Sequence, residues 1–199
     1  MDKKEIKVFL DDLAQTKERN IVIVDFANVD KWQESLGWPI GIKKLSQLIK
    51  HFSYGKQFLR RFYYGEDYGP KDKNTKLMSW SETMLNAAKY NGFEIVSKRV
   101  KYIPDHKYET GFIKKCNLDI EMALDLIKEV ANYDKVILFS GDGDMACVIK
   151  YLNKVYSKEF YVFGARGHIG KEIVDANREG IINKILFVED FEYRLSLHR

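Results

Sequence analysis

The chain has 199 residues, 45% of them hydrophobic and 31% charged, with a formal net charge of +4. This composition excludes a disordered or fibrous chain, and the length predicts one α/β domain over 1–199 with a core at about 20–190. Mild basicity permits nucleic-acid binding without requiring it, because the footprint depends on where the cations cluster.

No apolar run approaches the roughly 20 residues of a spanning helix, and the charged N-terminus lacks the apolar stretch of a secretion signal. Cys116 and Cys147 have no zinc-type spacing. The expectation is therefore a reduced, cytoplasmic protein without membrane contact.

Residues 3–18 place Ile6, Phe9, Leu10 and Leu13 at helical spacing. After Asn20, IVIVDF is apolar on both faces, as a central parallel strand must be when helices cover both sides. Residues 41–53 return to helical spacing, and 56–64 read as a strand followed by a polar, turn-rich loop, GEDYGPKDKNTK. A helix is predicted over 75–90, closed by Asn91-Gly92, and FEIVSKRVKYI is strand-like. Residues 104–116 read as loop and 117–131 as helix. KVILF is a buried strand before a helix at 144–153, EFYVFGA is another strand, 168–178 a helix and KILFV a last short strand. Alternation of this kind predicts right-handed βαβ units and a mostly parallel sheet in a three-layer α/β/α arrangement. Ligands then bind beyond the carboxyl ends of the strands.

Acids fall at those ends. Asp25 closes the first apolar strand, with Asn28 three residues on. Asp142 and Asp144 follow KVILF within Ser140-Gly141-Asp142-Gly143-Asp144, whose glycines would let backbone approach a ligand. Blander roles compete: a turn-forming Asp25, an N-capping Asp144, and an Asp119 that complements a helix dipole. At about 100° per residue, the apolar arc of 117–131 holds Ile120, Ala123, Leu124, Ile127 and Val130 and is expected to be buried. Asp119 sits at its edge, facing protein, while Glu121, Asp125, Lys128 and Glu129 fall on the solvated side. Asp25, Asp119, Asp142 and Asp144 would thus meet at one sheet edge and raise one another's pKa unless a cation intervenes. An oxygen-only donor set points to Mg²⁺ or Mn²⁺, and the natural chemistry is phosphodiester hydrolysis.

Three blocks carry a family resemblance. IVIVDFANVD resembles the opening D-x-x-N strand of NYN domains, KKCNLDIEMALDL their central K-x-x-x-D helix, and VILFSGDGDMACVIKYL the S-G-D-x-D signature of the LabA-like branch. The resemblance implies a PIN-like fold and a metal-dependent ribonuclease, expected to cut RNA internally. It implies Asp25, Asp119, Asp142 and Asp144 as metal-binding catalytic acids supported by Asn28 and Ser140, with Lys115 at the family's lysine. Met145 stands where members usually carry Phe. The segment GARGHIGKEIVDANREG lacks the usual Ala-Asp, so no fifth acid is assigned from it.

Basic residues lie among aromatics at 60–64, at Tyr68 with Lys71, Lys73 and Lys76, and at 98–102, a pattern suited to single-stranded RNA. Lys71, Lys73, Lys76 and Lys115 are the candidate phosphate contacts; Phe62 and one of Tyr63 and Tyr64 are expected in the core. The alternative function is a non-catalytic PIN-like RNA-binding or regulatory module, and a homodimer is left open. A haloacid-dehalogenase-type phosphatase would need a second Asp two residues after Asp25, where Ala27 stands.

Overall fold

Four consecutive β-branched residues, Ile21-Val22-Ile23-Val24, can hide both faces only inside a sheet, and all four are fully buried. The computed structural model describes residues 1–15, 19–51, 59–67, 71–107 and 111–197, without the side chains of residues 15 and 71–78. The chain runs α1 (Lys3–Gln15), β1 (Asn20–Asp25), α2 (Phe26–Lys31), α3 (Gln33–Leu36), α4 (Ile42–His51), β2 (Leu59–Glu66), α5 (Lys71–Tyr90) and β3 (Glu94–Arg99). A ribbon of β4 (Lys101–Pro104) and β5 (Phe112–Lys115) leads to α6 (Asp119–Lys128), β6 (Lys135–Phe139), α7 (Ala146–Tyr156), β7 (Glu159–Gly164), α8 (Lys171–Arg178), β8 (Lys184–Phe187) and α9 (Glu192–Leu195).

Six strands pair in parallel in the order β3-β2-β1-β6-β7-β8. The order runs outward in both directions from the β1–β6 pair, so the crevice of this sheet opens at their carboxyl ends. Val24 is level with Phe139, which brings Asp25 and Ser140 side by side at that edge. Val22, Val24, Phe62, Ile137, Phe139 and Phe163 pack on one face with α1, α4 and α9. Ile21, Ile23, Val136, Leu138, Phe160 and Val162 pack on the other with α6, α7 and α8. The expected three-layer α/β/α arrangement with a parallel central sheet is the architecture found.

Several expectations are corrected. The chain coils into α2 and α3 directly after Asp25, where no helix was foreseen. Helix α5 begins at Lys71, so the second half of the expected 65–76 loop is helical. The strand over 93–103 is broken at buried Val100, whose N–H bonds to the Glu66 carbonyl; beyond it the chain leaves the sheet. The 104–116 loop contains β5, which pairs antiparallel with β4. Tyr63 and Tyr64 are both buried, rather than one of them, and so is Arg61.

Candidate active site

The carboxylate of Asp25 caps the helix that follows it: Oδ1 accepts from the Asn28 N–H at 3.3 Å, and Oδ2 accepts from the Ser140 hydroxyl at 2.9 Å. Ser140 Oγ in turn accepts from the Asp142 N–H at 3.1 Å. Asn28 Oδ1 accepts from the Gly141 N–H at 3.0 Å and from the Trp32 indole at 2.9 Å. Asn28 and Ser140 therefore tie the ends of β1 and β6 into one polar frame.

Asp142 Oδ1 accepts from the Asp144 N–H at 3.0 Å, capping the short 3₁₀ turn Gly143–Met145. The cap expected of Asp144 thus belongs to Asp142. The glycines of this loop are required by the packing of the chain itself. A Cβ at Gly141 would collide with the His168 carbonyl, and one at Gly143 with the Glu172 carboxylate. Glu172, an acid from the segment that lacks the family pattern, therefore lies against this loop. Nothing in its spacing signals that.

The β4–β5 ribbon delivers Cys116 and Asn117 to the same edge, and Asn117 Oδ1 accepts from the Asp119 N–H at 2.9 Å at the start of α6. Asp25, Asp119 and Asp142 line one pocket of about 100 Å³, with Asn28, Lys31, Cys116 and Asn117 among its other walls. Asp144 stands around the corner, exposed, on a neighbouring groove that it shares with Asp119. Among the described residues, no three His, Cys, Asp or Glu side chains approach closely enough to form a metal cage.

Burial pushes the Asp25 carboxyl up to about 6, and the charges of Asp119 and Asp142 add to the rise against its two hydrogen bonds. Asp119 is raised as well, chiefly by burial and further by Asp142 and Asp144. The charges of Asp119 and Asp142 thus act on Asp25, and those of Asp142 and Asp144 on Asp119.

Lys31 went unnoticed in the sequence because α2 did. It lies one turn after Asn28, lines the acid pocket and forms no ion pair among the described residues. Lys115, on β5, is exposed and is not part of the pocket wall. Tyr68 and the side chains of Lys71, Lys73 and Lys76 lie outside the described residues. Two other basic positions are engaged internally: Arg61 pairs with Glu94 and Glu129 at 3.2 and 2.9 Å, and Lys98 with Glu121 at 2.7 Å.

The phase of α6 differs from expectation. Met122 and Leu126 face the sheet, while Ile120, Leu124 and Ile127 are exposed. Asp125, expected in solvent, accepts from the Tyr63 hydroxyl at 2.8 Å and lies 3.5 Å from Arg61. Its role here is structural. Asp125→Ala is expected to cost about 2 kcal/mol from these charged hydrogen bonds, lowering the melting temperature by about 4–8 °C. Any activity of the acid pocket should persist below the melt; a loss as deep as that of Asp119→Asn would instead put Asp125 in the site.

A family model described as the NYN domain matches residues 19–183. The chain is 32% identical over 166 residues to the low amplitude and bright protein LabA of Synechococcus elongatus, covering 82% of this chain and 83% of that one. A solved structure of a Vibrio parahaemolyticus protein of unknown function superposes with a TM-score of 0.62 at 20% identity, covering 87% of this chain and 96% of that one. At that identity the likeness concerns the fold alone.

Proposed function

The chain belongs to the NYN domain family, in its LabA-like branch, and on that premise we propose that it is a metal-dependent ribonuclease acting on single-stranded RNA, its whole length serving as one nuclease unit. Membership of this PIN-like nuclease superfamily supports phosphodiester hydrolysis. The observation that carries the reading is the convergence of Asp25, Asp119 and Asp142, from three separate segments, on one pocket at the β1–β6 crevice. The sheet alone brings Asp25 and Asp142 together, but Asp119 arrives from a third segment and adds its charge to the same cavity.

The donor set fits a hard divalent cation. Every acid offers oxygen, and among the described residues no cage of three closes around a bare ion. Mg²⁺ loses its waters reluctantly and is commonly held by one or two carboxylates plus substrate phosphate, which such a spacing suits. One or two of Asp25, Asp119 and Asp142 would hold it directly, the remaining acid through its waters, with Asp144 at the rim. When bound, Mg²⁺ or Mn²⁺ supplies charge neutralisation at the phosphate and a more acidic water.

The chain's own residues do the rest. Ser140 and the Asn28 N–H fix the orientation of the Asp25 carboxylate, and Asn28 holds the Gly141 backbone beside it. Lys31 meets a substrate phosphate at the pocket rim, and Lys71, Lys73, Lys76 and Lys115 extend the contact along the strand.

Labelled single-stranded RNA and DNA, incubated with the purified protein and Mg²⁺ or Mn²⁺, provide the test. RNA cleavage that stops on chelation is expected; RNA binding without cleavage in either ion would leave the non-catalytic module in its place. With Ca²⁺ replacing the active ion, Lys31→Ala should flatten the salt dependence of RNA binding by about 0.7 in the log–log slope, the loss of one phosphate contact on a single strand. An unchanged slope would remove Lys31 from the substrate surface.

A further inference from the structure

Helix α6 carries two apolar rows, and only one of them is buried. Met122 and Leu126 are fully buried against the sheet, yet Ile120 is 71% exposed, with Leu124 and Ile127 beside it. Helix α7 repeats the pattern: Val148, Ile149 and Leu152 face inward, while Tyr151 and Val155 stand outward one turn apart. A surface helix normally turns a single apolar stripe to the core, and these two carry a further apolar row outward. Between the two helices runs a groove of about 490 Å³, walled by Ile120, Ala123, Ile127, Val148 and Tyr151. Tyr156 extends this face, its ring edge-on to Tyr151 at 5.8 Å. Patches of this kind on a folded protein mark interaction surfaces.

The charges at the ends of the face suggest the occupant. Both helices start at the carboxyl edge of the sheet and run back along it. At their N-terminal end, Asp119 and Asp144 border the groove. At the other end the last turns carry exposed Lys128 and Lys154, neither of which forms an ion pair among the described residues. No lysine or arginine lines the groove between. A nucleic-acid backbone would therefore find nothing there to neutralise it. A second copy turned end for end would lay its lysines on these acids and its own apolar rows on Ile120, Leu124 and Tyr151. That is the self-complementarity a two-fold interface requires.

We infer that the α6–α7 face is a homodimer interface in which the two copies pack antiparallel, acidic end to basic end. The inference does not depend on catalysis. Each pair of helices completes a four-helix layer, burying the outward apolar residues Ile120, Leu124 and Ile127. The two-fold also carries Lys128 and Lys154 of each copy to the acidic rim of its mate.

Light scattering on the full chain should give twice the 23.3 kDa chain mass. Ile120→Glu with Leu124→Glu, both at exposed positions, should leave the circular dichroism spectrum unchanged while weakening association at least a hundredfold. The orientation has its own test. A Lys128→Glu/Lys154→Glu variant puts acids at both ends of the face, and an Asp119→Lys/Asp144→Lys variant puts lysines at both. Each alone should be monomeric at concentrations where the wild type is dimeric, and mixing the two should restore a dimer containing one copy of each. A monomeric wild type at tens of micromolar overturns the inference. So does a dimer indifferent to the Ile120 and Leu124 changes, or a mixture in which no mixed dimer forms.

Discussion

Asp119→Asn is expected to lower RNA cleavage by about a thousandfold, some 4 kcal/mol of transition-state stabilisation, while leaving the fold intact. The substitution separates chemistry from structure unusually well. Asp119 opens α6, where a carboxylate gains about 1 kcal/mol, and at most about 2, from the helix dipole. It is also partly buried beside Asp142 and Asp144, which already disfavour its charge. Removing that charge therefore costs the fold little and deprives the pocket of one of its three acids. The matching control is Glu121→Gln, two residues on in the same helix. Glu121 pairs with Lys98 at 2.7 Å and is not part of the pocket wall. Loss in the first variant with near-normal rates in the second places the chemistry at this pocket. Equal rates in both would remove Asp119 from it.

The strands and the acids at their ends were legible because their signals are local. Ile21-Val22-Ile23-Val24 and Val136-Ile137-Leu138-Phe139 can be stable only between covered faces, and a parallel sheet delivers whatever follows them to one edge. The facing of α6 was not legible for a physical reason. Periodicity finds apolar arcs, but this helix has two, and only the long-range packing of Met122 and Leu126 on Ile23 and its neighbours decides which one is inward. Asp125 was misplaced with the same error, since its partners Tyr63 and Arg61 lie 62 and 64 positions away, on β2. Arg61 misled in the same way: an arginine in a basic, aromatic stretch reads as surface until Glu94 and Glu129 are seen to surround it. Lys31 was not legible because α2 was not: FANVDK is too short for a helical period to show, and only the capping carboxylate of Asp25 marks its start. The glycines of Ser140–Asp144 have a structural reason that no local signal shows. Their space is filled by His168 and Glu172, more than twenty residues downstream.

In chelator at neutral pH, Asp25→Asn is expected to melt about 6–12 °C above the wild type, although it removes a residue at the heart of the site. In the folded state the Asp25 carboxyl is raised from 3.8 to about 6, first by burial and then by Asp119 and Asp142. A carboxyl raised on folding holds its proton more tightly in the folded state than in the unfolded one. Its contribution to stability is thus fully present below 3.8 and is lost as pH rises through about 6. A shift of that size corresponds to about 3 kcal/mol at neutral pH. Asparagine is as good a helix cap as aspartate, so the variant keeps the bond to the Asn28 N–H while shedding the charge. Other carboxylates titrate over the same range, so the informative quantity is the difference between the two proteins. That difference should vanish in acid, open between 3.8 and about 6, and stay constant above. Mg²⁺ or Mn²⁺ should then close it from the other side. An ion that binds only the folded wild type adds about 2.7 kcal/mol at a hundredfold excess over its dissociation constant. The variant should gain far less. Thermal melts of both proteins across this pH range, with chelator and then with metal, separate a cation site from a set of structural caps. A variant less stable than the wild type in neutral chelator, with no metal-induced rise in the wild type at millimolar ion, would mean that Asp25 serves only to hold α2 and Ser140 in place.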